Sequence, residues 1–158
     1  MSETILPRFQ TLAHDFYIAS GWFNEAQASD LEIIKKLLDS CEANYFSPKD
    51  EIICPADADA QTRANVFSGN ISAIRTSKFV IVNTRDKDMG TIFEAGVAYH
   101  AHKPIIYVAF GLPKGGTFNL MLAASGVCVC TDAAQLELAI KNIMSNPGWR
   151  ETYNGTIE

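Results

Sequence analysis

The chain has 158 residues, 47% of them hydrophobic, and a formal net charge of -5. That size and apolar content fit a single globular domain spanning residues 1–158. The acidic balance argues against a nucleic-acid polymer as partner. The longest apolar run, "IIYVAF", is too short to cross a membrane.

In chain order, residues 1–14 read as a loose arm. The start "MSETILPRFQTLAHD" has no positive region followed by an apolar one, so no secretory signal is expected and a cytoplasmic location is the default. "DFYIAS" reads as a buried strand stopped by Ser20-Gly21. A helix follows, with Leu31, Ile34, Leu37, Leu38 and Cys41 on one face. "ANYFS" reads as a second strand closed by Pro48, and "KDEIICPAD" as an irregular connection.

A second long helix is predicted from Asp59 to Ser77. Its inward stripe is Ala60, Ala64, Phe67, Ile71 and Ile74. Gly69 sits inside it at a cost of about 1 kcal/mol relative to alanine. An interior glycine there implies a bend or a close approach by another group. "KFVIVNT" is the clearest strand. The loop "RDKDMG" precedes a helix from Thr91 to about His102. "PIIYVAF", the loop "GLPKGGT", a short helix "FNLMLAAS", the strand "GVCVCT" and a helix from Asp132 to Ser145 complete the pattern. The tail "NPGWRETYNGTIE" reads as irregular.

The four cysteines include no C-x-x-C pair, and Cys128 and Cys130 read as reduced thiols in a buried strand. His100 and His102 are two apart and face different sides of a helix. No metal site is expected.

Apolar strands alternating with helices predict an α/β fold with a parallel sheet covered on both faces. The natural arrangement is a flavodoxin-like (Rossmann-like) five-stranded sheet of order 2-1-3-4-5. Ligands then bind beyond the carboxyl ends of the strands, where the strand order switches. That rule singles out "SGWFN" after the first strand and "RDKDMGT" after the third.

Gly21 is the only glycine of the first loop, which lacks the G-x-G-x-x-G of a dinucleotide site. Trp22 and Phe23 sit at the mouth of the sheet, either to stack on a flat base or to cover the core. Glu94 has two readings. With Thr91 it fits a capping box, folding back onto the helix start. Alternatively it is a nucleophile: small residues, Ala95 and Gly96, follow it, and Asp88 lies six positions upstream. A carboxylate near a helix N-terminus is expected to stay ionised, and an ionised carboxylate can attack an electrophilic sugar carbon.

The segments "YIASGWF", "FSGNISAI", "DMGTIFEAGVAY", "FNLM" and the ending "YNGTIE" occur in order from residue 17 to the C-terminus. Together they resemble the nucleoside 2-deoxyribosyltransferases. The resemblance implies exchange of the base of a 2'-deoxynucleoside for another free base, by a ping-pong route without metal or organic cofactor. It implies Glu94 as nucleophile, Tyr17 orienting it and Asp88 holding the 5'-hydroxyl. Asn119 is then supplied from a neighbouring subunit of a homo-oligomer, a dimer-based assembly such as a hexamer. Gly21, Trp22 and Phe23 line the base side of the site. Asn70 stands where many members carry an aspartate that handles the base's proton, and asparagine delivers no proton at neutral pH. Asp57 and Asp59 lie nearby as substitutes. The chain ends in Glu158, where better-known members end in an aromatic. Two other readings stay open: an N-glycosidase that passes the sugar of a nucleoside or 5'-monophosphate to water, and a non-catalytic nucleotide-binding module.

Overall fold

The computed structural model describes residues 12–158; the expected arm falls mostly outside them. Ala13 already donates its backbone N–H to the Thr76 carbonyl at 2.7 Å, and His14 belongs to the first strand.

Five parallel strands form one sheet in the order β2-β1-β3-β4-β5: β1 (His14–Ala19), β2 (Tyr45–Phe46), β3 (Ser77–Asn83), β4 (Ile105–Val108) and β5 (Cys128–Cys130). The central strands are continuous apolar runs because both faces of the sheet are covered. Helices α1 (Glu25–Ser40) and α6 (Ala133–Ser145) pack on the face bearing Phe16 and Ile18. Helices α3 (Ala60–Thr76), α4 (Met89–His100) and α5 (Leu120–Ser125) cover the face bearing Tyr17 and Ala19. The alternation of side chains along β1 thus sends neighbouring residues into two separate cores.

Two local expectations are corrected, and a third holds. A four-residue helix, α2 (Pro48–Glu51), interrupts the connection read as irregular; Pro48 opens it, where its fixed φ suits a first helical turn. The α3 stripe does not face inward along its length. Ala73 and Ile74 are the buried residues of that helix, while Phe67 is 55% exposed. The close approach at Gly69 is real: a Cβ there would lie 2.6 Å from Cδ1 of Ile52. Among the described residues no helix is long and apolar enough to cross a membrane.

Candidate active site

Tyr17 lies in β1 between Phe46 of β2 and Val80 of β3. It is fully buried and stacks on Phe46, ring centroids 5.7 Å apart and 9° from parallel. A ring clamped in this way fixes where its hydroxyl points. That hydroxyl donates to Oε1 of Glu94 at 2.8 Å, across 77 residues of sequence.

Glu94 is not a cap. Asp88 occupies the N-cap of α4, and its Oδ2 accepts from the Thr91 N–H at 2.8 Å. The helix therefore starts at Met89, two residues before the expected Thr91, and Glu94 lies beyond its first turn. Aspartate is the stronger N-cap of the two residues, and capping from Asp88 brings Met89 and Gly90 into the helix ahead of Thr91.

The electrostatics also differ from expectation. Burial pushes the Glu94 carboxyl up to about 7. The Tyr17 hydrogen bond opposes that shift, and the negative charge of Asp88 adds to it. Helix-dipole stabilisation fades after the first turn, so it does not keep this group ionised at all pH values. Burial, and then the charge and hydrogen bond of Glu94, raise the Tyr17 hydroxyl far above the ordinary tyrosine value. The shared proton therefore stays on Tyr17, which acts as donor.

Helix α3 lies against α4 through Phe67 and Phe93, ring centroids 6.0 Å apart. Asn70 follows Phe67 by one turn, and its Oδ1 is buried without a hydrogen-bond partner. The Ser47 hydroxyl, just beyond β2, is likewise buried and unpartnered. Sequence reasoning missed Ser47; its one signal was a polar residue at the carboxyl end of the strand beside Tyr17. Buried polar atoms without partners are rare in folded proteins; His14 Nδ1, in β1, is the third such atom among the described residues. The suggested substitutes for Asn70 do not converge here. Asp59 caps α3, accepting from the Thr62 N–H at 2.7 Å, and Asp57 is exposed.

The aromatic pair divides. Trp22 is partly buried against the α1/α6 core, whereas Phe23 is 71% exposed, their centroids 5.1 Å apart. Gly21 is buried and leaves room for Gln27, whose Oε1 would lie 2.6 Å from a Cβ at position 21. Asn119 caps α5 by accepting from the Leu122 N–H at 3.2 Å. It lines a cavity of about 590 Å³ together with Met89, Ile92, Phe118, Leu122 and Glu158. Tyr17 and Glu94 do not line that cavity, nor those of about 380 and 640 Å³. In the single chain Glu94 is half-buried.

The parallel α/β sheet places the chain in the doubly wound class, and the Tyr17–Glu94 pair lies beside the switch in strand order, the end at which ligands of this class bind. The characteristic sequence of one family, nucleoside 2-deoxyribosyltransferase, matches residues 16–140, and the chain belongs to that family. Among solved structures, it is similar to a 2-deoxyribosyltransferase from the psychrotolerant bacterium Bacillus psychrosaccharolyticus. The TM-score is 0.66 at 26% identity, over 77% of this chain and 89% of that one. It also shares its fold with a conserved protein from Enterococcus faecalis V583, with TM-score 0.64 at 17% identity, over 80% of this chain and 96% of that one. No curated protein matches by sequence.

Proposed function

We propose that the protein transfers 2-deoxyribose from a 2'-deoxynucleoside to another purine or pyrimidine base, with Glu94 as the nucleophile. The observation that carries this reading is the Tyr17 hydroxyl held 2.8 Å from the Glu94 carboxylate. A donor on one oxygen steadies the ionised form and aims the other oxygen at the sugar. The Glu94 oxygen attacks C1' as the glycosidic C–N bond breaks, and the first base leaves with the bonding electrons and takes up a proton from water. A nitrogen of the second base then attacks C1', gives up its proton to water and releases the carboxylate.

The remaining roles follow from which atoms stay free. One oxygen of Asp88 caps α4; the other accepts the sugar's 5'-hydroxyl. The unpartnered Oδ1 of Asn70 accepts an N–H from the base. Trp22, Phe23 and Gly21 flank the base. Phe67, Phe93, Met89 and Met121 are all more than half exposed. Such a large apolar surface supports a homo-oligomer, in which Asn119 completes the neighbouring site and a second copy shields Glu94 from water.

Hydrolysis is the second reading, favoured by the partial exposure of Glu94 in the single chain, since water reaching the glycosyl ester gives free sugar. A 5'-monophosphate substrate fits less well. Arg85, the nearest arginine of the loop, is engaged by Asp30 through bonds of 2.7 and 2.9 Å.

Incubation with thymidine and adenine tests these readings by chromatography. Deoxyadenosine plus thymine is the expected result. Thymine without a new nucleoside assigns hydrolysis, and no reaction overturns both. Retained nucleoside binding by Glu94→Ala, with no turnover in either protein, identifies a binding module.

A further inference from the structure

The loop that delivers α4, residues 84–88, turns through two consecutive non-glycine residues in the left-handed region. These are Asp86 at φ 58° and Lys87 at φ 54°. Such a conformation is uncommon for residues with a side chain and persists where surrounding contacts hold it. Here the contacts come from the other loop of the site. Oδ2 of Asp86 accepts from Nδ2 of Asn24 at 2.8 Å and from Nε2 of Gln27 at 3.2 Å. The same Gln27 side chain accepts the backbone N–H of Phe23 at 3.0 Å through Oε1. Gln27 is 5% exposed, among the few buried polar residues. It occupies the space that a side chain at Gly21 would fill. Asn24 is itself the N-cap of α1 and accepts from the Gln27 N–H at 2.9 Å.

One glutamine thus holds two loops at once. Its carbonyl end fixes the backbone of the Trp22–Phe23 loop, and its amide end fixes the loop that sets Asp88 and the start of α4. We infer that Gln27 and Asp86 are positioning residues, which hold the aromatic side of the site at a fixed distance from the catalytic carboxylate through the chain Phe23–Gln27–Asp86. The inference rests on the proposed sugar transfer at Glu94, and its first test does not depend on turnover. Neither residue touches the reacting atoms. They act by keeping the base and the nucleophile in register, a geometry on which rates depend steeply.

The test uses the full chain. Asp86→Gly removes the carboxylate while tolerating the positive φ, so it breaks the link without adding backbone strain. Asp86→Asn keeps an acceptor oxygen and also tolerates this region. Gln27→Met retains bulk and loses both hydrogen bonds. Amide hydrogen exchange at Phe23 is read by nuclear magnetic resonance, and kcat/KM for transfer is read on the same proteins well below their melting temperatures. In Asp86→Gly and Gln27→Met, exchange at Phe23 rises and kcat/KM falls, each by about tenfold; Asp86→Asn restores both. Unchanged exchange at Phe23 in Asp86→Gly overturns the coupling between the loops. Faster exchange with unaltered kcat/KM overturns the positioning role. If the wild-type protein neither transfers nor hydrolyses, the reading of the reaction and this role in it both fall. The exchange arm then still decides whether the two loops are coupled.

Discussion

The Tyr17 hydroxyl donates to Oε1 of Glu94 at 2.8 Å, joining the second strand in the spatial order of the sheet to the helix that follows its neighbour. Its ring is clamped against Phe46, so Tyr17→Phe removes the donor and leaves the packing. Without that donor the carboxyl moves further up from about 7, because burial and Asp88 are left unopposed. The limb of the kcat/KM profile that rises with pH therefore moves to higher pH. At pH 7 turnover falls by about a hundredfold, the lower end of the range for losing one positioned proton-transfer group. A pH–rate profile of both proteins checks this, and an unmoved limb excludes Tyr17 as the partner that keeps Glu94 ionised.

Glu94 also carries a cost in stability whose sign is fixed by the direction of its shift. Its folded value, about 7, lies above the ordinary carboxylate value of 4.5. The folded state therefore holds the proton more tightly than the unfolded chain, and stability falls as pH rises from about 4.5 to about 7. Above that window the full penalty is present, on the order of 1.4 kcal/mol per pKa unit. Glu94→Gln removes the penalty. The variant unfolds at a higher temperature than wild type at pH 8, and the advantage disappears near pH 4. Thermal melts at the two pH values give the comparison, and an advantage independent of pH counts against a buried, ionisable Glu94.

Asp88 combines a structural and a proposed binding role, and two substitutions separate them. Asparagine caps helices as well as aspartate does, whereas alanine costs about 1 kcal/mol at such a position. Asp88→Asn should therefore melt close to wild type, and Asp88→Ala several degrees lower. If the free oxygen holds the 5'-hydroxyl, Asp88→Asn raises KM for thymidine but not for 5'-deoxythymidine. An equal rise for both substrates removes the hydroxyl contact from the mechanism.

The sheet was legible because fully covered parallel strands are apolar without interruption: "KFVIVNT" lies within one residue of β3 at each end. Gly69 likewise announced a close approach that the Ile52 side chain makes. The errors have common physical causes. Helical spacing shows that Phe67 shares a face with Ile71, but not whether that face meets the core or open surface. Thr91 and Asp88 are both good caps, and only backbone geometry decides between them. The family resemblance supplied Tyr17 and Glu94 as a pair, and the geometry joins them. Ser47 was invisible because one serine carries no periodicity. The Gln27–Asp86 contact spans 59 residues and depends on a left-handed turn that no pattern encodes.

The loop before α4 has a second attachment, which carries a larger energy. The Asp30 side chain is 5% exposed and receives the Arg85 guanidinium in a two-pronged bond. Arg85 is 30% exposed, so solvent weakens the pair relative to a fully buried one. Removing the cation alone leaves Asp30 buried without its partner, a loss of about 2–4 kcal/mol. Replacing both residues with uncharged ones of similar size removes the stranded charge, so Asp30→Asn combined with Arg85→Met loses less than Arg85→Met alone. Chemical denaturation of the single and double variants measures the difference. A double variant as unstable as the sum of the singles would mean that the two side chains act independently.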